Sequence, residues 1–305
     1  MPEKTRKTKK VQEKETKKPL LNKKLLAISI TLAATIILGA VLYQLFWRIQ
    51  EREVKFPFKA AIIDQLGESF PIQSFRENVT SLLVSQNFTV IYNRSEEVTV
   101  EFFRKLPKSN CGLYILRVHS AVRNNTDLID FFTCEPYQEN MYDEYGDRLS
   151  VGWYQWELDK KYFAIGPGFI EVMDGTFPKS IIIAMGCKSL KYPTMAQAFL
   201  NKGAQLYIGW TDDVDAYDSD KITFHLLELL FKYNKTISEA IEECNRTPRQ
   251  YWQSKLDYIP KNVGNKRMSE IIYASIPQSF NTLNQKEQVF IAITIRRIIC
   301  LDRAD

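Results

Sequence analysis

The sequence predicts an α/β fold, a mostly parallel sheet flanked by helices, standing behind a single N-terminal transmembrane helix. Three observations carry this expectation. From residue 60 onward, short apolar runs rich in β-branched and aromatic residues recur, each with the length of a buried strand. Amphipathic stretches separate them, and alternating strands and helices build parallel sheets covered on both faces. Finally, Leu25 to Trp47 is a run of 23 residues without a charge.

Residues 1–24 hold ten Lys and Arg against three Glu, with almost nothing apolar before Leu20, which predicts a disordered basic tail. As a helix, the run 25–47 reaches roughly 34 Å, enough to cross the hydrocarbon core of a bilayer. Tyr43 and Trp47 stand at its far end, where interfacial aromatics belong. A cleaved signal peptide is the rival reading. Its apolar region would be shorter and would end in a small-x-small site, which Trp47-Arg48-Ile49-Gln50 does not offer. The expectation is an uncleaved signal-anchor in the cell membrane, with the tail cytoplasmic and the main domain extracytoplasmic. Residues 48–56 form a connector, and 57–305 the α/β domain.

Within that domain, Ala60–Asp64 is a first strand, and Ser74–Gln86 an amphipathic helix with Phe75, Val79, Leu82 and Leu83 on one face. Phe88–Tyr92 is a second strand and Val98–Leu106 a second helix. Gly112–Val118 is a third strand, and Ser180–Met185 a fourth. Between them, Leu128–Cys134, Ser150–Leu158 and Tyr162–Ile165 read as extra antiparallel strands, with Gly166-Pro167-Gly168 as a turn. Met195–Leu200 is a helix stopped by Gly203, Gln205–Trp210 a fifth strand, Asp220–Tyr233 a long helix, and Ile237–Cys244 another. In 254–305 the pattern is weaker: Glu270–Ala274 reads as a strand and Gln288–Cys300 as a helix.

The net charge of +5 is misleading, because the tail accounts for more than all of it. Outside the tail, 31 basic residues face 33 acidic ones, so the folded part is not a basic nucleic-acid binder. No GxGxxG or GxxxxGK[ST] is present, which leaves nucleotide binding without support. Two histidines and no CxxC give no zinc site, and no cofactor is called for. Six Asn-x-Ser/Thr sequons, at Asn78, Asn87, Asn93, Asn124, Asn234 and Asn245, agree with an exterior location.

Chemistry concentrates at two strand ends. The third strand leads into His119-Ser120, and the fourth into Gly186-Cys187. In an open α/β sheet, ligands sit beyond the carboxyl ends of the strands, so these residues are placed to meet. A Cys–His pair is the minimal kit for a thiol nucleophile, with the His raising the thiolate fraction. Taken alone, Cys187 reads more readily as a small buried hydrophobe than as a nucleophile, and His119 as a satisfied turn residue. His225 lies inside an amphipathic helix and reads as structural or surface-exposed.

The His-bearing third strand, the Cys-bearing fourth and the following helix and strand resemble the caspase-like cysteine peptidases. That superfamily takes in caspases, gingipains, clostripain, legumains and the CHAT domain. The stretches Ile183–Cys187, Met195–Phe199 and Gly203–Trp210 are most similar to the gingipain and CHAT pattern, and the resemblance covers roughly residues 58–245. It implies a cysteine endopeptidase acting on a protein or peptide substrate. Cys187 would be the nucleophile, His119 the base and leaving-group acid, and the backbone N–H groups of Ser120 and Cys187 the oxyanion donors. The family pattern has Gly directly after the His. Here Ser120 puts a Cβ into a tight turn. A second reading, from another class, is an inactive caspase-like domain acting as a binding or sensor module at the cell surface; a third is a plain α/β sensor domain.

Trp210 and the acidic loop Asp212, Asp213 and Asp215 follow the fifth strand, where the resemblance implies a cleft wall. These acids could receive a Lys or Arg side chain or hold Ca²⁺; the plain alternative is a solvated loop capping the next helix. Of the five cysteines, Cys187 is expected free. Cys111 with Cys134 would bracket the third strand and its return, and Cys244 with Cys300 follows only by elimination.

Overall fold

In a computed structural model, the described residues are 56–154, 157–249 and 253–273, with 32, 34–41 and 43 nearer the N-terminus. The chain divides into two compact units, Met1–Glu53 and Val54–Asp305. In the first, residues 34–41 are helical, and Leu32, Ile36, Ile37, Leu38, Val41 and Tyr43 are exposed. Among the described residues no helix is long and apolar enough to cross a membrane. The predicted tail 1–24 and most of the span 25–47 lie outside the described residues.

The second unit is a mixed α/β domain built on a six-stranded sheet. Its strands are β1 (Lys59–Asp64), β2 (Thr89–Asn93), β3 (Leu113–Arg117), β8 (Ile181–Ala184), β9 (Leu206–Trp210) and β10 (Leu256–Ile259), in the order β10-β9-β8-β3-β1-β2. All neighbours are parallel except β10, which runs antiparallel to β9. Ile62, Ile115, Ile183 and Ile208 align across four adjacent strands and point to one face. There they meet the apolar stripes of helices α1 (Gln73–Ser85), α5 (Ala216–Leu227) and α6 (Ile237–Arg246). One residue away along each strand, Ala61, Tyr114, Ile182 and Tyr207 point to the other face. They pack under α2 (Val100–Lys105), α3 (Pro167–Val172) and α4 (Thr194–Asn201). Strands buried on both faces explain the continuous apolar runs of the sequence.

Between β3 and β8 the chain makes a four-stranded antiparallel sheet of β4 (Ser120–Val122), β5 (Ile129–Pro136), β6 (Leu149–Tyr154) and β7 (Glu157–Ile165), in the order β4-β5-β7-β6. Strands β5, β6 and β7 match the three expected extras, though β7 begins at Glu157 and runs through the expected gap before Tyr162, and β4 is an addition. Gly166-Pro167-Gly168 is a helix start: Gly166 is the N-cap of α3 and Pro167 its first residue, where a missing N–H costs nothing.

Several expectations are corrected. Helix α5 begins at Ala216, four residues early, because Asp215 caps it, and a π-helical turn at Glu228–Lys232 ends it. The stretch expected as a strand at Glu270–Ala274 is instead helix α7 (Met268–Tyr273), with Ile271 and Ile272 buried in the core. The edge strand β10 is an addition to the expected elements, and Gln288–Cys300 lies outside the described residues. Cys111 and Cys134 are both free. Cys111 precedes β3 and touches Ser109, whereas the Cys134 thiol donates to the Gln65 carbonyl just past the end of β1. The height of the sheet separates them. Cys187 and Cys244 are free as well, and Cys300 lies outside the described residues.

Candidate functional site

Strands β3 and β8 are direct neighbours, with Leu116 opposite Ala184, so their carboxyl ends bring the His119-Ser120 and Gly186-Cys187 corners together. The Met185 N–H still donates to the Leu116 carbonyl at 2.9 Å; then both chains turn. Gly186 makes the contact possible. A Cβ there would stand 2.4 Å from the Val118 carbonyl oxygen and 2.4 Å from Ser120 Oγ, so only glycine fits. The Ser120 hydroxyl donates to the Cys187 carbonyl at 2.5 Å, bridging the two corners. Ser120 is not among the residues with left-handed backbone, so the side chain in place of the family glycine imposes no strain of that kind.

The two candidate side chains face different surroundings. The His119 ring lies against Tyr154 at 4.6 Å between centroids, with Phe70 at 6.0 Å and Phe132 at 6.2 Å. Burial, and secondarily the Arg117 guanidinium, push its pKa down to about 4, so the imidazole is neutral at pH 7. The half-buried Cys187 thiol contacts Val214, donating to its carbonyl at 3.3 Å and facing its N–H at 3.5 Å. Burial pushes the thiol pKa up, and Asp213 adds to this, against the opposing pull of the Val214 N–H and Lys188.

The acidic loop is fastened to the Cys187 corner. Lys188, in the left-handed region, donates its backbone N–H to the Asp212 carbonyl, and its ammonium pairs with Asp213 at 2.7 Å. Lys191 approaches Asp212 at 3.9 Å. Asp212 exchanges hydrogen bonds with Ser254, and Asp215 accepts the Tyr217 N–H at the start of α5. Loop capping and internal pairing therefore account for all three acids. Trp210 corrects the expectation of a cleft wall. It is 0% exposed, its indole N–H donates to Ser219 Oγ, and Arg249 covers its ring. Among the described residues no group of three or more His, Cys, Asp and Glu is arranged to hold a metal ion. His225 stands 3.6 Å from Glu243, far along α5 from the corner.

Sequence reasoning passed over the residues that support the corner. Arg117, 1% exposed, binds Asp64 at 2.6 Å and both oxygens of Asp220, and donates to the Phe70 carbonyl. Ser189 donates to the Ala184 carbonyl and accepts the Trp210 N–H, while Ser219 donates to the Met185 carbonyl. Gln65 receives the His119 N–H. A buried Arg at a strand end was the one available signal, since such a charge demands partners.

No family model matches the sequence, and no curated protein matches it. Among solved structures, the crystal structure of the Arg-specific cysteine proteinase gingipain R aligns with a TM-score of 0.40 and 14% sequence identity. The alignment covers 63% of this chain and 42% of that one, so this chain spans less than half of its length. The likeness is a weak one and concerns the fold.

Proposed function

We propose that this chain is a membrane-anchored, extracytoplasmic cysteine endopeptidase of the caspase-like type, with Cys187 as nucleophile and His119 as general base. The observation that carries the reading is the direct packing of the His119-Ser120 corner on the Gly186-Cys187 corner, through Gly186 and the Ser120–Cys187 bridge. In the proposed reaction His119 takes the thiol proton as Sγ attacks the scissile carbonyl. The oxyanion is held by the backbone N–H groups of Ser120 and Cys187, and His119 then returns the proton to the leaving amine. Water hydrolyses the thioester in a second step. Catalysis requires Sγ to leave Val214 and turn toward the imidazole. The apolar run 25–47 is the proposed anchor, which holds residues 48–305 outside the cell.

A second reading, an inactive domain that binds a protein ligand, is favoured by a thiol held protonated and an imidazole walled in by aromatics. One experiment separates the two. Intact cells displaying wild-type chain are given a membrane-impermeant fluorogenic peptide with Lys or Arg before the scissile bond. We expect cleavage that Cys187→Ala abolishes and His119→Ala reduces at least about 100-fold. Cleavage only after permeabilisation would reverse the orientation, and none in either state would favour the binding module.

A further inference from the structure

Gln65 follows β1 directly, is 3% exposed, and uses both ends of its amide. Its Oε1 accepts the His119 N–H at 2.8 Å, and its Nε2 donates to the Tyr154 hydroxyl at 2.7 Å. Tyr154, at the end of β6, lays its ring on the His119 imidazole, with planes inclined at 45°. A closed circuit results: amide to backbone, backbone to imidazole, imidazole to phenol, phenol to amide. Phe132 completes the wall, 5.6 Å from Tyr154, and its N–H donates to the His119 carbonyl at 2.9 Å. Both backbone polar groups of His119 are thereby tied, and its ring meets an aromatic surface carried in by the antiparallel sheet. Glutamine suits this place because one neutral side chain supplies a donor and an acceptor at any pH of interest.

We propose that Gln65 and Tyr154 are positioning residues for His119, a bracket that fixes where its imidazole stands and how far water reaches it. The role rests on the reading of His119 as general base. It also explains what the four-stranded insertion is for, since β6 carries the Tyr154 ring onto the corner that β3 presents. Neither residue touches the scissile bond; both act through His119.

The test uses the full chain in nanodiscs with isotope-labelled histidine. The sequence has two histidines, so His119 and His225 are read separately and His225 reports the fold. Tyr154→Ala admits water to the imidazole and should raise the His119 midpoint from about 4 by about one pH unit or more. Gln65→Met, similar in shape but without the two hydrogen bonds, should raise it in the same direction. Tyr154→Phe keeps the ring and loses only its tether, so its shift should be smaller. A His119 midpoint unmoved in Tyr154→Ala and Gln65→Met, with His225 as in wild type, overturns the proposal. If Gln65→Met fails to fold, the two Tyr154 variants decide. The titration needs no turnover: a moved midpoint without Cys187-dependent cleavage leaves the bracket standing and removes the peptidase, and cleavage with an unmoved midpoint does the reverse.

Discussion

A neutral, part-buried His119 makes the stability of this domain depend on pH in a definite direction. In an unfolded chain a histidine takes up its proton near pH 6.5, whereas in the fold it does so near 4. Between these values the unfolded state binds more protons. Stability therefore falls as pH drops from about 6.5 to about 4, by on the order of 3 kcal/mol, and this group takes nothing further below that. His119→Gln should flatten this window, measured as the difference in urea-unfolding free energy between pH 7 and pH 4.5. A difference as large as that of wild type would show that His119 is solvated in the native state. The sequence made His119 and Cys187 legible because each follows an apolar strand at its carboxyl end. Gln65 left no trace there. An amide that works through tertiary hydrogen bonds has no periodicity and no motif.

At the scale of elements, strand ends and helix starts decide what the loops do. Asp215 is one of three acids that the sequence leaves open to substrate or Ca²⁺ readings, and its carboxylate is taken by the first turn of α5. Asp215→Ala should cost about 1 kcal/mol of stability, read from the urea midpoint. A neutral result would mean that the loop, not the cap, holds this helix start. Strands β1, β3, β8 and β9 are readable because burial on both faces makes their runs continuous. Strand β10, Leu-Asp-Tyr-Ile, is not, because an edge strand mixes polar and apolar residues and the expected strand signal is absent. Helix α7 reads as a strand for the opposite reason. Its two buried isoleucines look β-prone, and six residues are too few for helical periodicity to show. Trp210 reads as the last residue of a strand leading into a cleft wall, but the sequence could not reveal that Ser219 and Arg249 close over it.

For the α/β unit as a whole, the network around Arg117 ties β1, β3 and α5 at the carboxyl end of the sheet, directly beneath the corner that holds His119. Tyr92, from β2, joins it through Asp64 at 2.7 Å. Buried charges of this kind are costly to break on one side. Arg117→Met should leave Asp64 and Asp220 without their cation and destabilise the domain by about 3–5 kcal/mol in urea unfolding. A loss under about 1 kcal/mol would show that water reaches the carboxylates. The sheet order is legible as far as adjacency of the His and Cys strands. The partners of the buried arginine are not, since Asp64 and Asp220 lie 53 and 103 residues away from it in sequence.

Whether the corner joining His119 to Cys187 performs thiol chemistry can be read from a single covalent label. A peptidyl acyloxymethyl ketone with Lys or Arg beside the warhead is added to the full chain in nanodiscs, and the adduct is mapped by mass spectrometry. A working His119–Cys187 pair gives one adduct, on Cys187, that disappears in Cys187→Ala and falls sharply in His119→Ala. Equal labelling of wild type and Cys187→Ala, or no adduct on Cys187 at any pH from about 6 to about 9, spanning the range in which a thiol of ordinary pKa ionises, would contradict it.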